Sequence, residues 1–519
     1  MSNHNSQGMS MFRGRRMPEN GLIVGYAKLL EIIEQNTSKQ FPLPDVLSMC
    51  TQKHKRYSTN GWEVYTKRHI PNPDLKSQIY FALKYEGVDL QILKESFRLF
   101  EEQELIDIIQ AEPTSQYTRR IWFLYEWLFE KRLDIQDLKV GTYVPIVDEK
   151  LQYAVKGTNS TRHRVINNLP GTVNFCPMIR RTEKLESYIG LHLNKKIEEG
   201  IEGVHNDLIR RTAAFLLLKD SKASFNIEGE KPSPSRARNW GYIIGDAGKL
   251  EITTDEIERL QQIVIGKDKL KHMGIRDGHE GFIGVHDSED FSPIPSHISA
   301  KSSDLAKLME GLLETNRMLQ ENEFHPAFIA TAIAFGFVYI HPLADGNGRI
   351  HRFLIHHILA KTGFANRNMI FPISAAILDD ISSYEQVLES HSSPRLELIE
   401  WEATEDHNTN IINETIDLYR YFDITKEAEF LFACIEDTIV RIIPSELDYL
   451  KKYDKLTDRI NDILAMENTR VDLMIKMIHQ NEGKLSKRKY DKFFSDIDGD
   501  KIEQIEEMYD DVFFAQDEE

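Results

Sequence analysis

Residues 335–359 read FGFVYIHPLADGNGRIHRFLIHHIL, and this stretch decides the fold around it. An apolar run from Ala327 to Ile340 meets His341-Pro342, where a helix stops because proline disfavours helical backbone in the residue before it. A short turn holding Gly346 and Gly348 follows, and a second helical pattern starts near Arg349. The glycines leave bare backbone N–H groups at a helix N-terminus, whose partial positive charge suits a phosphate chain. The apolar run has 14 residues, Thr331 and Tyr339 among them. A membrane span needs about 20, so the run reads as a helix buried in protein.

Around this cradle stand the side chains that phosphoryl chemistry requires. His341 titrates in the range where it can take a proton from a hydroxyl. Asp345 offers the carboxylate oxygen that Mg²⁺ prefers beside phosphates. Asn347 can donate to a phosphate oxygen without adding charge. Arg349 and Arg352, three apart, share a helix face and present two guanidinium forks. DGNG alone would serve as an ordinary interhelical turn. His, Pro, Asp, Gly, Asn, Gly and Arg in this order point to chemistry instead.

His341 to Arg352 resembles the signature of the Fic family, H-P-F-x-D/E-G-N-G-R-x-x-R, and matches eight of its nine specified positions. Leu343 stands where phenylalanine is usual, a change that keeps an apolar side chain there. The resemblance implies a mainly α fold: a helical core with a small β-hairpin flap, plus helical N-terminal and C-terminal regions. It implies a protein adenylyltransferase that moves AMP from ATP to a Ser, Thr or Tyr hydroxyl of a target protein or of itself. By similarity His341 is the general base, and Asp345 binds Mg²⁺ between the α- and β-phosphates. The amides from Gly346 to Gly348, with Asn347, steady the phosphates. Arg349 contacts the β-phosphate region and Arg352 the γ-phosphate. Gly348 fits AMP transfer, because the branch that transfers phosphate tends to carry lysine there. Other members transfer UMP or phosphocholine.

Two further stretches extend the resemblance. Ser224-Phe225-Asn226-Ile227-Glu228-Gly229 matches the family's inhibitory motif, S/T-x-x-x-E-G/N. By similarity Glu228 pairs with Arg352 and fills the space of the γ-phosphate, so Ser224, Glu228 and Gly229 are assigned a regulatory role. Gly281-Phe282-Ile283-Gly284, with Phe291-Ser292-Pro293-Ile294-Pro295, reads as a hairpin and lies where the family places its flap. Ile283 and Gly284 are the residues assigned to nucleotide contact there.

The rest of the chain sets the domains expected: a flexible tail over 1–20, a helical region over 21–145 and an irregular connector over 146–184 acting as a domain boundary. The Fic core follows over 185–395, with the inhibitory segment at 204–230 and the flap at 280–296, and then a C-terminal helical domain over 407–519 that resembles the winged-helix or helical tails of some members and suits protein docking or dimerisation. Ile121, Trp122, Leu124, Trp127 and Leu128 fall at helical spacing and predict a core helix. The 519 residues carry a net charge of −18, which argues against general binding to nucleic acid or membrane surfaces. The C-terminal helices, with Lys484, Lys487, Arg488, Lys489 and Lys492, are the one place left for nucleic acid. That segment nevertheless holds 8 basic against 14 acidic residues over 470–519.

Three dispersed cysteines and the lack of an apolar leader suit a reducing, cytoplasmic setting. A calcium loop at Asp496 fails because Lys501 replaces the needed glycine, and a phosphate loop at Gly245–Lys249 fails at Ile243 and Leu250. The partners expected are ATP and a target protein, with homo-oligomerisation left open. Two other functions stay open from the sequence. One is a deAMPylase in which Glu228 orients water; the other is a Fic-fold regulatory or DNA-binding protein without transfer.

Overall fold

A computed structural model describes residues 10–266, 273–278, 280–364 and 371–514, and the fold is mainly α. At its centre the helix Pro326–Ile340 runs through the interior, every residue from Ala327 to Ile340 buried. His325 caps its start through Nδ1, and Pro326 fills the first turn, where its missing N–H costs nothing. The helix Asn347–Lys361 packs against it, and Leu305–Glu321 flanks it on another side. Gly336 permits a close crossing: a Cβ there would collide with the buried ring of Phe175. That ring belongs to the stretch between 146 and 184.

The connector is therefore part of the core and not a boundary. Two of its strands, with Val144–Pro145 just before it, form a three-stranded sheet in the order Val144–Pro145, Val165–Asn167, Thr158–Ser160. Its tail is stitched to the C-terminal half by Cys176 N–H to Arg420 O at 2.8 Å and Met178 N–H to Phe422 O at 2.8 Å. One continuous apolar cluster runs from Tyr26 through Trp122, Phe175 and Ile333 to Leu447.

The N-terminal region departs from the all-helical expectation over 21–145. It does contain helices, among them Gln116–Phe129, which buries Ile121, Trp122, Leu124 and Leu128. It opens, however, on a four-stranded sheet in the order Leu22–Val24, Leu47–Thr51, Trp62–Thr66, Tyr57–Thr59. Leu47–Thr51 is buried at all five positions, so it shows none of the alternation that marks a half-exposed strand. Of the expected tail, residues 1–9 lie outside the described residues. Met11–Phe12 pairs with Arg15–Arg16, and Phe12 meets Trp62 edge-on at 6.2 Å.

The C-terminal expectation is also corrected. Residues 407–447 join the main core, and the second cluster begins within the helix Ile443–Ile463, gathering Leu456, Ile460, Met474, Ile505 and Tyr509. Asn468–His479, Lys487–Phe493 and Gly499–Phe513 complete that small body. No strand occurs among its described residues, so there is no wing. Among the described residues no helix is long and apolar enough to cross a membrane.

Candidate active site

The turn between the two central helices is built by its own side chains. His341 ends the first helix in the left-handed region, φ 53°, with its N–H on Phe337 O at 3.0 Å. A non-glycine residue there costs on the order of 1 kcal/mol, and the surrounding contacts hold it. Arg276 Nε donates to His341 O at 3.0 Å, its Nη2 to Ala300 O at 2.9 Å, and its backbone N–H to Pro342 O at 2.9 Å. His297, buried behind the turn, bonds Tyr339 O at 2.9 Å through Nε2 and Ser392 Oγ at 2.9 Å through Nδ1. Neither Arg276 nor His297 lies in a recognisable motif, and no sequence signal marks them.

His341 Nδ1 lies 3.2 Å from Val338 O. A carbonyl only accepts, so Nδ1 carries the proton and Nε2 carries the lone pair. Desolvation, and next the charge of Arg276, push the His341 pKa down to about 4. The imidazole is therefore neutral above that value and ready to accept a proton. It opens on a cleft walled by Arg276, Phe282, His286, Leu343 and His407. One measurable consequence is the pH dependence of kcat/KM, which reports the free enzyme. It should stay flat from pH 8 down to about pH 5.5, with the acid limb near 4; a limb centred near 6.5 would contradict the assigned environment.

Asn347 is placed differently from the expectation. It is 2% exposed, donates from Nδ2 to Leu343 O at 2.7 Å and accepts Leu343 N–H at 3.0 Å on Oδ1. Its carboxamide clamps the turn from within, both of its polar atoms bonded to the backbone of Leu343. Gly346, at φ 91°, forms the N-cap, a conformation that side chains rarely adopt. The first-turn N–H groups that follow have no acceptors within the helix.

Arg352, 1% exposed, reaches Glu228 Oε1 at 2.8 Å, Ser224 O at 2.8 Å and Ser224 Oγ at 3.2 Å. Ser224 belongs to the helix Asn206–Ile227, and Glu228 is its C-cap. The Glu228 carboxylate rests against the bare Cα of Gly348, where a Cβ would collide with Oε1. Gly229 turns the chain at φ 70°. Arg349, 2% exposed, donates to Asp345 Oδ1 at 3.2 Å and to Glu230 Oε1 at 3.0 Å. Glu230 was not foreseen, since no motif position covers it.

The hairpin pairs Phe282–His286 with Pro293–Ile298, and its register shifts between Ile283 and Gly284. Phe282 and His286 line the cleft with His341, whereas Ile283 and Gly284 do not. Ile283 is 44% exposed and faces outward.

A family model described as Fic/DOC family matches residues 251–359, within the expected core. Residues 251–359 thus form a Fic-type domain. A protein adenylyltransferase Fic of Drosophila grimshawi is 31% identical over 116 residues, 22% of this chain and 22% of that protein. One from Drosophila mojavensis is 30% identical over 116 residues, 22% and 21% of the two chains. The chain thus spans about a fifth of the length of the curated relatives it matches. Two solved structures are also similar. The Fic family protein from Desulfovibrio desulfuricans G20 covers 59% of this chain and 82% of its own, at 16% identity and TM-score 0.35. The Fic domain containing signaling protein from Bacteroides thetaiotaomicron VPI-5482 covers 51% and 97%, at 14% identity and TM-score 0.36. The Glu228 segment lies outside the matched stretch of the Fic domain, so its place against Arg352 is a contact brought in by the preceding helix.

Proposed function

We propose that this Fic protein transfers AMP from ATP to a protein hydroxyl, its own chain included, and that Glu228 holds the activity in check. The observation that carries this is the His341 side chain. It is a neutral imidazole with its Nδ1 proton committed to Val338 O, and Nε2 makes no hydrogen bond among the described residues. It stands beside a glycine-rich turn followed by two buried arginines, Arg349 and Arg352. The hydroxyl oxygen attacks the α-phosphorus and its proton passes to His341 Nε2. The new P–O bond forms as the bond to the bridging oxygen breaks, and pyrophosphate leaves. The unpaired amides at the start of Asn347–Lys361 stabilise the charge that develops.

Asp345 fits a magnesium ion arriving with the nucleotide: it is a hard oxygen donor beside the cradle, with Oδ1 already oriented by Arg349. Such an ion would offset phosphate charge. Among the described residues no cluster of three or more ligating side chains forms a separate cage.

Glu228 lies over the first turn of the phosphate-binding helix and takes Arg352 as its own partner. A γ-phosphate seeking that guanidinium meets a carboxylate first. In the Glu228→Gly variant, with α-labelled ATP and Mg²⁺, covalent label should rise about 10- to 100-fold over the parent. That is the range expected when one charged hydrogen bond stops competing. Nucleotide bound without any label in either protein would overturn transfer. Release of AMP from a labelled protein by the parent would instead favour removal of AMP.

A further inference from the structure

Glu230 makes a second ion-pair arrangement that the Fic signature does not contain. Its Oε1 accepts from Arg349 Nη1 at 3.0 Å and its Oε2 from Arg236 Nη1 at 2.7 Å. The carboxylate thus bridges two guanidinium groups, each held from elsewhere. Arg236 is pinned by Nε and Nη2 to Val264 O, at 3.2 and 2.7 Å. Arg349 is pinned by Nη2 to Asp345 Oδ1, while its buried Nε has no partner among the described residues. The Phe225 ring lies between them, 4.7 Å from the Arg236 guanidinium carbon and 5.4 Å from that of Arg349.

Two rigid cations that converge on one carboxylate will converge on another anion when that carboxylate leaves. Removing it would otherwise bring like charges together without compensation. Arg349 belongs to the first turn beyond the cradle, so a nucleotide polyphosphate is the anion nearest to hand. Arg236 comes from a different helix, Pro234–Gly245, and no part of the signature covers it.

We propose that Arg236 is a third phosphate-binding arginine, and that Glu230 masks it together with Arg349 as a stand-in for phosphate. The proposal rests on the nucleotide-binding reading given above. Glu230 then restrains the site independently of Glu228. Each carboxylate holds a different arginine, Glu228 on Arg352 and Glu230 on Arg349, and no hydrogen bond joins the two glutamates.

The test is equilibrium binding of ATP with Mg²⁺ to the full chain, which needs no transfer activity. Glu230→Gln keeps the shape and removes the charge; Glu230→Ala is measured beside it, and melting temperatures identify the folded variants. Either folded variant should bind ATP about tenfold more tightly than the parent, and adding Arg236→Ala should erase the gain. The gain should also add to that of Glu228→Gly. Unchanged or weaker ATP binding in both Glu230 variants would overturn the proposal. So would full retention of the gain after Arg236→Ala, which would leave Arg236 only a local support. If ATP bound neither these proteins nor Glu228→Gly, the nucleotide-transfer reading itself would fail. Binding by Glu228→Gly with Glu230 variants unmoved would sink this inference alone.

Discussion

His341→Ala, introduced into the Glu228→Gly protein, should lower transfer of label by about 10²- to 10⁴-fold while ATP affinity stays within about twofold. The asymmetry follows from the geometry. Among the described residues the His341 ring hydrogen-bonds only Val338 O, through Nδ1, and the residue lines the cleft. On the proposed reading, phosphate is held instead by the start of the helix Asn347–Lys361 and by the arginines. What supports the turn acts through backbone: Arg276 holds His341 O, and Asn347 holds Leu343. Truncating the imidazole therefore removes the base and leaves the cradle. Labelling that persisted at the parent rate would show that another group takes the proton. A parallel collapse of ATP binding would assign His341 to the nucleotide site rather than to the target hydroxyl.

The largest effect on stability should come from Asp220→Ala. Asp220 is fully buried in the helix that carries Ser224, and its carboxylate takes four donors. These are Ser374 N at 2.6 Å, Ala375 N at 3.2 Å, Ser374 Oγ at 3.0 Å and His356 Nε2 at 2.9 Å. The group thus ties the Glu228-bearing helix to both the helix Asn347–Lys361 and the helix Ile373–Asp379. Losing it strands these donors in the interior. Removing one partner of such a buried network costs about 3–5 kcal/mol. The melting temperature should fall by about 3–5 °C, since a chain of this length loses about 1 °C per kcal/mol. Asp220→Asn keeps one acceptor and should fall by less. A drop of under about 1 °C for the alanine variant would show that water or rearrangement replaces the lost bonds.

These two residues differ in how they could be found. His341 lies in a contiguous run whose residue types and spacing specify chemistry, and its local geometry follows from Pro342 and the glycines. Asp220, His356 and Ser374 are far apart in sequence and none sits in a pattern; only the packing of three helices makes them a network. Glu230 and Arg236 belong with Asp220, since a lone glutamate and a lone arginine read as solvated side chains until Arg349 is brought between them. Asn347 shows the converse case. Its place in the motif was legible, but its amide turns inward, because the peptide of Leu343 offers it a donor and an acceptor together.

By itself the sequence determined the mainly α class, the apolar helix that stops at His341-Pro342, the second helix starting near Arg349, the signature residues from His341 to Arg352 and the apolar face of Ile121, Trp122, Leu124 and Leu128. Helical periodicity, a proline stop and closely spaced glycines are all written within a few neighbouring residues. Only the tertiary structure decided that 146–184 runs through the core, that a four-stranded sheet opens the chain and that the C-terminal body begins inside the helix Ile443–Ile463. The same holds for which face of the hairpin meets the cleft. Short strands buried on both faces carry no period, and core continuity depends on contacts such as Phe175 on Gly336, 161 positions apart. Such contacts exist only once the chain has closed on itself, so no local pattern announces them.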